Sequence, residues 1–331
     1  MKTKRTLTNA YIILLLILAA VFVLSLLFGS SSVSVKEIID SINSENETAK
    51  IIIKAIRLPR VCASMLAGAA LALCGCLLQS VTSNELCAPN IIGINSGAGF
   101  ATVLILAIAP SLWALIPFAA FTGALLSSFT VMGISFAGAK KTKGGSIVLA
   151  GIAVSALFNA GISCITFLFP DTISSYAAFS IGGFSSLTFR NITIPSVVIL
   201  IFAVISQLIS KNLNLLCLGD EMAQNLGVNV KTLRIIAIIS ASALSASAVS
   251  FAGLLGFVGL IVPNITKKLF TRDTRFCITL NMLLGAITVS ISDLIARIIF
   301  RPFEIPCGII MALLGAPFFI YLLIKRRTGH D

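Results

Sequence analysis

The sequence has little charge, one histidine and few polar clusters, and each shortage excludes a class of protein. Charged residues make up 11% of the 331 residues and hydrophobic residues 57%, whereas soluble domains carry about 25% charged residues. Water cannot be the main solvent of such a chain. A soluble globular fold is therefore excluded.

The missing residue types also argue against catalysis and metal binding. The single histidine, His330, lies next to the terminus, and the eight cysteines are scattered. Cys74 and Cys76 lie two residues apart, so they face different sides of a helix and make a poor metal pair. For the eight cysteines we expect small buried thiols with no disulfide framework. Because His, Asp, Glu and Ser do not cluster, we predict no catalytic residue, metal or cofactor, and an enzyme is the least favoured class.

Ten apolar runs are candidates for membrane spans. A spanning helix needs about 20 apolar residues, since the hydrocarbon layer is about 30 Å thick. The sequence therefore predicts an all-α polytopic protein of about ten transmembrane helices, forming a single transmembrane domain over residues 1–331. The predicted spans are 10–29, 55–79, 90–108, 112–137, 146–169, 191–209, 233–251, 255–270, 277–300 and 306–324.

The basic residues lie between these runs and predict the topology. With the N-terminus inside, 16 of the 24 basic residues fall in cytoplasmic segments, as the positive-inside rule requires, so both termini should be cytoplasmic. The net charge of +12 then needs no nucleic-acid partner. Two polar stretches, 31–50 and 171–190, fall outside, and each is predicted to form a short surface helix. The second contains Gly182 and Gly183.

Two stretches, 79–99 and 251–264, interrupt the apolar pattern with glycine, proline and asparagine. Non-helical backbone at membrane depth persists only where it is buried in protein or lines a wet cavity. Breaks at corresponding places in two oppositely oriented halves are typical of an inverted repeat with a transport path. Two re-entrant packing loops without contact to cargo are the alternative. The residues expected to break the helices are Pro89, Gly93, Gly97, Gly253, Gly256, Gly259 and Pro263.

The pattern of these segments resembles the FecCD-type permeases of ABC importers for iron siderophores, haem and vitamin B12. The N-terminal part of the resemblance is RLPR at 57–60 followed by NELCAPNIIGINSGAG at 84–99. The C-terminal part is LCLGDEMAQNLGVNV at 216–230, FAGLLGFVGLIVPNITKKL at 251–269, RDTR at 272–275 and EIPCGIIMALLGAPFFIYLL at 304–323. The chain departs from the family at Glu85, where proline is usual, at Asn264, where histidine is usual, and at Thr274 of the RDTR element.

The resemblance implies a type II ABC importer permease fold and a set of partners. These are a second permease copy in a homodimer or heterodimer, two cytoplasmic ATPase subunits and an external substrate-binding protein, in the cytoplasmic membrane of a bacterium. The segment GAKKTKGGS at 138–146 lacks the G-x-x-x-x-G-K-[ST] spacing that cradles phosphate. Energy should therefore come from an ATPase partner.

Residues 219–230 are polar enough to leave the membrane and amphipathic, with Met222, Leu226 and Val230 at helical spacing. The resemblance implies that this segment couples the permease to the ATPase, and a surface helix without a partner is the alternative. The predicted coupling residues are Gly219, Asp220, Glu221, Met222, Gln224, Leu226, Gly227 and Val228.

Four arginines lie at the outer ends of two predicted spans: Arg57, Arg60, Arg297 and Arg301. The resemblance implies that they meet carboxylates of the binding protein, where charges mainly speed and orient association. Anchoring of helix ends is the alternative. Asp293 lies four residues before Arg297, so the two side chains are predicted to pair on one helix face, with a proton-relay role for Asp293 less favoured.

The resemblance also implies an inner gate formed by Asn84, Leu86, Gly145 and Ser146, although ordinary loop chemistry explains these residues equally well. The favoured cargo is an iron chelate of the siderophore type. Haem or cobalamin is the alternative within the family. An ion-driven secondary transporter is less favoured because buried acids do not recur in several spans, and a scaffold protein would not require the two breaks.

Overall fold

A computed structural model describes residues 4–29, 51–137 and 144–328. The predicted surface helix at 31–50 lies outside the described residues. The twelve helices of the described part are α1 (Lys4–Leu27), α2 (Leu58–Thr82), α3 (Ile94–Ile108), α4 (Ile116–Ala137), α5 (Gly144–Leu168), α6 (Thr172–Ile181), α7 (Phe189–Leu216), α8 (Asp220–Asn225), α9 (Val230–Ala252), α10 (Val258–Leu269), α11 (Thr274–Ile298) and α12 (Cys307–Thr328).

The all-α prediction is confirmed, and the described residues contain no strand. Eight helices of this part are long and apolar enough to cross a membrane: α1, α2 with the helical turn Ile52–Arg57 before it, α4, α5, α7, α9, α11 and α12. The two other predicted spans, 90–108 and 255–270, are shorter helices. They are α3 with 15 residues and α10 with 12, and each begins inside one of the predicted breaks.

Helices α2 and α9 form the centre of the bundle. In their apolar stretches 78% and 83% of the residues are buried, against 22% in α1 and α7. Helix α2 packs against α9, α10 and α11. Its sequence, LPRVCASMLAGAALALCGCLLQSVT, is rich in Ala, Gly and Cys. Small side chains let neighbouring backbones approach closely, which is how helices associate where lipid supplies no hydrophobic drive.

Two glycine pairs bring α2 into backbone contact with its neighbours. A Cβ atom placed on Gly68 would overlap the carbonyl oxygen of Gly285 in α11, and the reverse is also true. A Cβ atom on Gly75 would overlap the carbonyl oxygen of Gly259 in α10. The central helix is thus in backbone contact with the helix that starts at the second break.

The Gly68–Gly285 crossing gives a testable prediction. Gly285→Ala should lower the free energy of unfolding by about 1–3 kcal/mol, because overpacking forces the backbones apart. Gly133→Ala is the control, since no heavy atom lies within 4 Å of the added Cβ atom and both substitutions raise helix propensity alike. Thermal unfolding of the detergent-solubilised protein measures the difference, and equal melting temperatures for the two variants would contradict the crossing.

The cysteines are only partly as expected. All eight are free thiols, so the prediction of no disulfide framework is confirmed. Five are buried, but Cys164 and Cys217 are exposed, and the expectation of buried thiols is wrong for these two. Cys164 lies in the peripheral helix α5 and Cys217 at the end of α7. An apolar run does not by itself show which of its faces the protein covers.

Candidate functional site

The first break is a chain reversal built on backbone conformations that favour glycine or small polar residues. Helix α2 ends at Thr82, and Ser83 follows with φ 50°. A 3-10 turn, Pro89–Ile92, leads to Gly93 with φ 81°, where α3 begins. The hydroxyl of Ser127 in α4 donates to the Gly93 carbonyl at 2.6 Å. The same carbonyl accepts from Gly97 N at 3.1 Å and from Ser96 Oγ at 2.9 Å within α3. The Ser127 hydroxyl therefore ties the start of α3 to α4, and nothing in the sequence pattern indicated this contact.

The second break lies between α9 and α10. Gly253 has φ 72° and Phe257 has φ 66°, so the backbone turns twice through the left-handed region within five residues. Gly256 lies between them. Gly259 and Pro263 both lie inside α10 and do not interrupt a helix, which corrects their prediction as helix-breaking residues. A backbone that leaves the helix here needs new partners for its amides and carbonyls.

Those partners come from the end of α6, the short helix that the sequence predicted within residues 171–190. Three backbone hydrogen bonds join this end to the second break and to the start of α12: Leu254 N to Phe179 O (3.1 Å), Gly183 N to Ala252 O (2.8 Å) and Gly308 N to Gly182 O (3.1 Å). The left-handed conformation of Gly182, with φ 78°, makes this junction possible. One short helix thus ties together the second break and α12.

The two breaks meet in space. A Cβ atom on Gly259 would lie 3.0 Å from Pro89 Cδ, and one on Gly256 would lie 3.9 Å from Asn90 Nδ2. Asn90 is exposed and accepts a 2.6 Å hydrogen bond from Asn95 Nδ2. Segments separated by about 170 positions in the sequence therefore meet in one region of irregular backbone and amide side chains.

Gly97 has a packing role beside the first break. A Cβ atom there would overlap the carbonyl oxygen of Gly123 and the side chain of Ser127, both in α4. Gly97 itself is inside α3 and has helical backbone. It therefore brings α3 against α4 and does not interrupt a helix, which corrects its prediction as a helix-breaking residue.

The predicted inner-gate residues Asn84 and Leu86 lie in one tight turn after α2. Asn84 Oδ1 accepts from Leu86 N at 3.1 Å, and Cys87 N donates to Asn84 O at 3.1 Å. The Leu86 side chain packs in a small apolar cluster with residues of α10 and α12: Leu260, Phe318, Phe319 and Leu322. Gly145 and Ser146 lie in the first turn of α5, where the structure describes the backbone only.

A buried charge cluster lies where α2 begins and α11 ends. Arg60 Nη2 is 3.0 Å from Asp293 Oδ1, and Arg60 Nη1 is 2.6 Å from Glu304 Oε2. Arg297 Nε is 3.0 Å from Asp293 Oδ2, which confirms the predicted pair at helical spacing. Asp293 is 0% exposed. A buried carboxylate between two guanidiniums has its charge compensated, which suits a structural role better than a proton relay.

The same cluster holds the end of α1. Arg57 Nη1 donates to the carbonyls of Leu26 and Leu27 at 2.7 and 2.9 Å. Arg297 Nη1 donates to the carbonyls of Ser25 and Phe28 at 3.1 and 3.3 Å. The last carbonyls of a helix lack partners within it and attract positive charge, so two guanidiniums stabilise this end.

The four arginines therefore differ in their surroundings. Arg57, Arg60 and Arg297 are 3%, 6% and 2% exposed, and Arg301 is exposed. The bonds of Arg57 and Arg297 to α1 are those that the alternative of helix-end anchoring predicts. A docking role for the four arginines stays a prediction, and Arg301 is the one that a partner could reach without rearrangement of the chain.

The segment 219–230 forms a short helix, α8, between two glycines. Gly219 has φ 108° and Gly227 has φ 84°, and an added Cβ atom would meet nothing within 4 Å at either position. Asp220 Oδ1 accepts from Arg234 Nη2 of α9 at 2.8 Å. The helix is thus held to α9 by an ion pair, while its ends turn through conformations that only glycine adopts freely.

The apolar side chains of residues 219–230 are only partly buried. Met222 and Leu226 are 54% and 55% exposed, whereas Val228 and Val230 are buried at 9% and 5%. Glu221 and Gln224 are exposed beside the two apolar side chains. Two large apolar residues on a short polar helix thus remain uncovered in this chain.

The turn between α10 and α11, at the RDTR element, is fixed by one carboxylate. Asp273 Oδ1 accepts from Arg275 N at 3.0 Å and from Asn214 Nδ2 at 2.6 Å. The guanidinium of Arg275 lowers the pKa of Asp273 to about 2, with a further contribution from Asn214. The carboxylate therefore stays charged at neutral pH and caps the start of α11.

No group of three His, Cys, Asp or Glu side chains within 4–29, 51–137 and 144–328 is placed to hold a metal ion.

The profile of the FecCD transport family matches residues 15–325, almost the whole chain. This chain belongs to the FecCD transport family. The resemblance on which the sequence prediction rested is confirmed.

Individual FecCD relatives support the same assignment. The chain is 35% identical to the Fe(3+)-citrate import system permease protein of Bacillus subtilis, over 97% of this chain and 96% of the relative. It is 32% identical to the hemin transport system permease protein of Yersinia pestis, over 83% of this chain and 84% of the relative. A solved structure of a metal-chelate type ABC transporter, in an inward-facing conformation, matches with TM-score 0.82 and 29% identity, over 96% of this chain and 99% of that chain.

Proposed function

We propose that this FecCD protein is the permease subunit of an ABC importer that carries an iron chelate of the siderophore type across the bacterial cytoplasmic membrane, driven by ATP hydrolysis in a partner subunit. The observation that carries the proposal is the meeting of the two breaks, where Asn90 lies beside Gly256. Irregular backbone at membrane depth is tolerated where it lines a water-filled path. Substrate sites at the junction of broken helices are typical of transporters.

The proposed assembly has two permease copies, two ATPase subunits and an external binding protein, with both termini of the permease cytoplasmic. Helix α8 would dock on the ATPase. Met222 and Leu226 are its uncovered apolar residues, and Glu221 and Gln224 supply a polar rim. Docking of a short amphipathic helix in a groove uses this arrangement of apolar anchors and polar surroundings.

The cargo assignment rests on the relatives. The Fe(3+)-citrate permease covers nearly the full length of the chain, which favours a ferric chelate over haem. The test is uptake of labelled ferric siderophore, ferric citrate, haem and cobalamin in a strain that lacks the gene. Loss of ferric chelate uptake alone supports the proposal, whereas loss of haem or cobalamin uptake alone would assign the other cargo.

The proposed inner gate consists of Asn84 and Leu86 with Gly145 and Ser146. Leu86 supports this role because its side chain belongs to an apolar cluster that includes residues of α10 and α12. A gate residue held by apolar contacts can separate without breaking strong bonds. Helix α12 is itself joined to the second break through α6, so the gate and the breaks share neighbours.

Docking of the binding protein is proposed at the arginine cluster. Four guanidiniums accompany two carboxylates there, Asp293 and Glu304, which leaves an excess of positive charge. Acidic groups of a partner would be attracted to this excess, and such charges chiefly affect the association rate.

Charge reversal at Arg301 tests this docking site. Arg301→Glu should slow association of the binding protein by about tenfold at low salt, with a smaller effect at high salt, because surface charges are screened. Arg190→Glu is the control, since Arg190 is also exposed and is predicted to lie on the same side. Surface plasmon resonance on the reconstituted permease gives both rates. Equal slowing by the two substitutions would point to general charge attraction and not to a site.

The left-handed conformation of Gly227 gives a prediction about coupling. Gly227→Val should reduce cargo-stimulated ATP hydrolysis about tenfold, because a β-branched residue is strained at φ 84° and the end of α8 must shift. Space is not the obstacle. Gly227→Asn is the matched control, since asparagine tolerates this conformation, and it should retain most of the coupling. Coupling that is equally unaffected in both variants would contradict the role of this turn.

A further inference from the structure

The turn that holds the proposed inner-gate residues is fastened to α10 by a side chain with no assigned role. Within the turn, bonds to Asn84 fix the local shape: its side chain accepts from Leu86 N and its carbonyl from Cys87 N. These bonds do not fix the position of the turn in the bundle. The carbonyl of Glu85, at the tip of the turn, points to another helix for its partner.

That partner is Asn264 of α10. Its Nδ2 donates to the carbonyl of Glu85 at 3.0 Å and to the carbonyl of Leu260 at 2.8 Å. Asn264 is 2% exposed. The amide group has two donor hydrogens, and both are used. One hydrogen bond keeps the side chain on its own helix, and the other reaches across to the turn.

A second pair of hydrogen bonds joins α10 to the end of α2, the helix from which the turn departs. Lys267 Nζ donates to Gln79 Oε1 at 2.9 Å, and Gln79 Nε2 donates to the carbonyl of Gly259 at 3.4 Å. Gly75 of α2 is in backbone contact with the same residue, Gly259. The turn begins where α2 ends, and the side chain of Asn264 binds it to α10, which is itself joined to α2.

We infer that Asn264 is a positioning residue for the inner gate: it holds the Glu85 carbonyl, and with it Asn84 and Leu86, against α10. The inference rests on the proposed gate function of these two residues. Because α10 starts at the second break, a shift of that break moves the Asn264 side chain and thereby the turn of the first break. A neutral amide makes this hydrogen bond at every physiological pH.

Accessibility of Cys87 measures the state of the turn directly. Cys87 follows the gate residues and is 0% exposed, and Cys76 in α2 is 1% exposed and serves as an internal reference. The full-length protein in detergent is treated with N-ethylmaleimide, and the alkylation rate of each thiol is read from its peptide by mass spectrometry. Asn264→Leu removes both donors at similar volume.

Asn281→Leu is the matched control. Asn281 is also a fully buried amide, and it accepts from Thr266 Oγ1 of α10 at 2.9 Å. Its other hydrogen bonds go to the Cys277 carbonyl and to the Cys76 thiol, and none of these three partners lies in the turn.

Asn264→Leu should raise the Cys87 alkylation rate about tenfold and leave Cys76 unchanged. Asn281→Leu should leave the Cys87 rate unchanged, and Cys76 is not a reference in that variant because its thiol contacts Asn281. An unchanged Cys87 rate in Asn264→Leu overturns the inference. A rise in Cys76 as well, or an equal rise of Cys87 in Asn281→Leu, also overturns it, because the bundle has then loosened generally.

The labelling experiment needs no ATPase, binding protein or cargo, so its result is separate from the proposed transport function. An unchanged Cys87 rate with normal wild-type uptake overturns the positioning role and leaves the importer proposal standing. Absence of wild-type uptake of every tested cargo overturns the importer proposal whatever the Cys87 rate. In the reconstituted importer, Asn264→Leu should also raise ATP hydrolysis in the absence of cargo, which a purely structural amide would not do.

Discussion

Replacing Met222 and Leu226 together by aspartate is expected to abolish ATP-driven uptake, with at least a hundredfold loss of transport rate, while the protein still inserts and folds. Both side chains are more than half exposed, so the chain's own core loses no packing. An interface depends most on a few large apolar anchors at its centre, each of which contributes 2 kcal/mol or more, roughly. Two charges at those positions would have to be desolvated on docking, which adds a further penalty.

The control for this double substitution is Asn225→Asp, which adds one charge to the same helix at an exposed polar position. It should retain most of the transport activity. Co-purification of the ATPase with each variant and uptake in reconstituted vesicles give the two readouts. Normal binding of the ATPase by the Met222→Asp, Leu226→Asp variant would show that α8 is not the coupling element.

The second large effect is expected at Arg60. Arg60→Leu removes one of the two guanidiniums that bind the buried Asp293, and it also removes the 2.6 Å contact to Glu304. Breaking a buried ion pair by removal of one partner costs about 3–5 kcal/mol, because a charge is left insufficiently compensated. The melting temperature in detergent should fall accordingly, and expression in the membrane should decrease.

Arg301→Leu is the control for Arg60, since Arg301 is exposed and its replacement should change stability by less than about 0.5 kcal/mol. Arg60→Lys should be intermediate, because lysine keeps the charge but cannot reproduce the forked contact to both carboxylates. Stability of Arg60→Leu equal to that of the Arg301 variant would contradict the buried network.

The breaks could be located from the sequence because their cause is local. Gly253 and Gly93 adopt left-handed conformations that other residues avoid, so these two glycines mark sites where the helical backbone is interrupted. Gly97, Gly259 and Pro263 lie inside helices, so glycine and proline content alone does not give the position of a break. The lengths of α3 and α10 could not be predicted in the same way. The apolar run continues across each break, and hydropathy does not record where the backbone leaves the helix.

The side chains that contact the breaks from other helices could not be predicted from the sequence. Ser127 binds the Gly93 carbonyl from another helix, and nothing distinguishes it from the serine beside it. Likewise Asn264 was visible only as a departure from the family pattern, and its contact with Glu85 spans 179 positions of the chain. Pairings of this kind arise from tertiary packing, which local pattern does not contain.

For the arginines, the sequence predicted one ion pair but not the other contacts that these side chains make. The spacing of Asp293 and Arg297 predicts their contact because residues four apart share a helix face. The bonds from Arg57 and Arg297 to the end of α1 depend on which helix is adjacent, and the sequence carries no such information. The sequence also placed Met222 and Val230 on one apolar face, because it does not show where α8 ends. Val230 belongs to α9 and is buried, whereas Met222 belongs to α8 and is exposed.

The most direct test of the account is transport by the purified components in liposomes. The permease alone, under proton and sodium gradients, should not move an iron-labelled ferric chelate. The same permease with its ATPase, its binding protein and ATP should accumulate the chelate, because in the proposed importer this chain supplies the path and its partners supply the energy. Accumulation driven by an ion gradient through the permease alone would contradict the account.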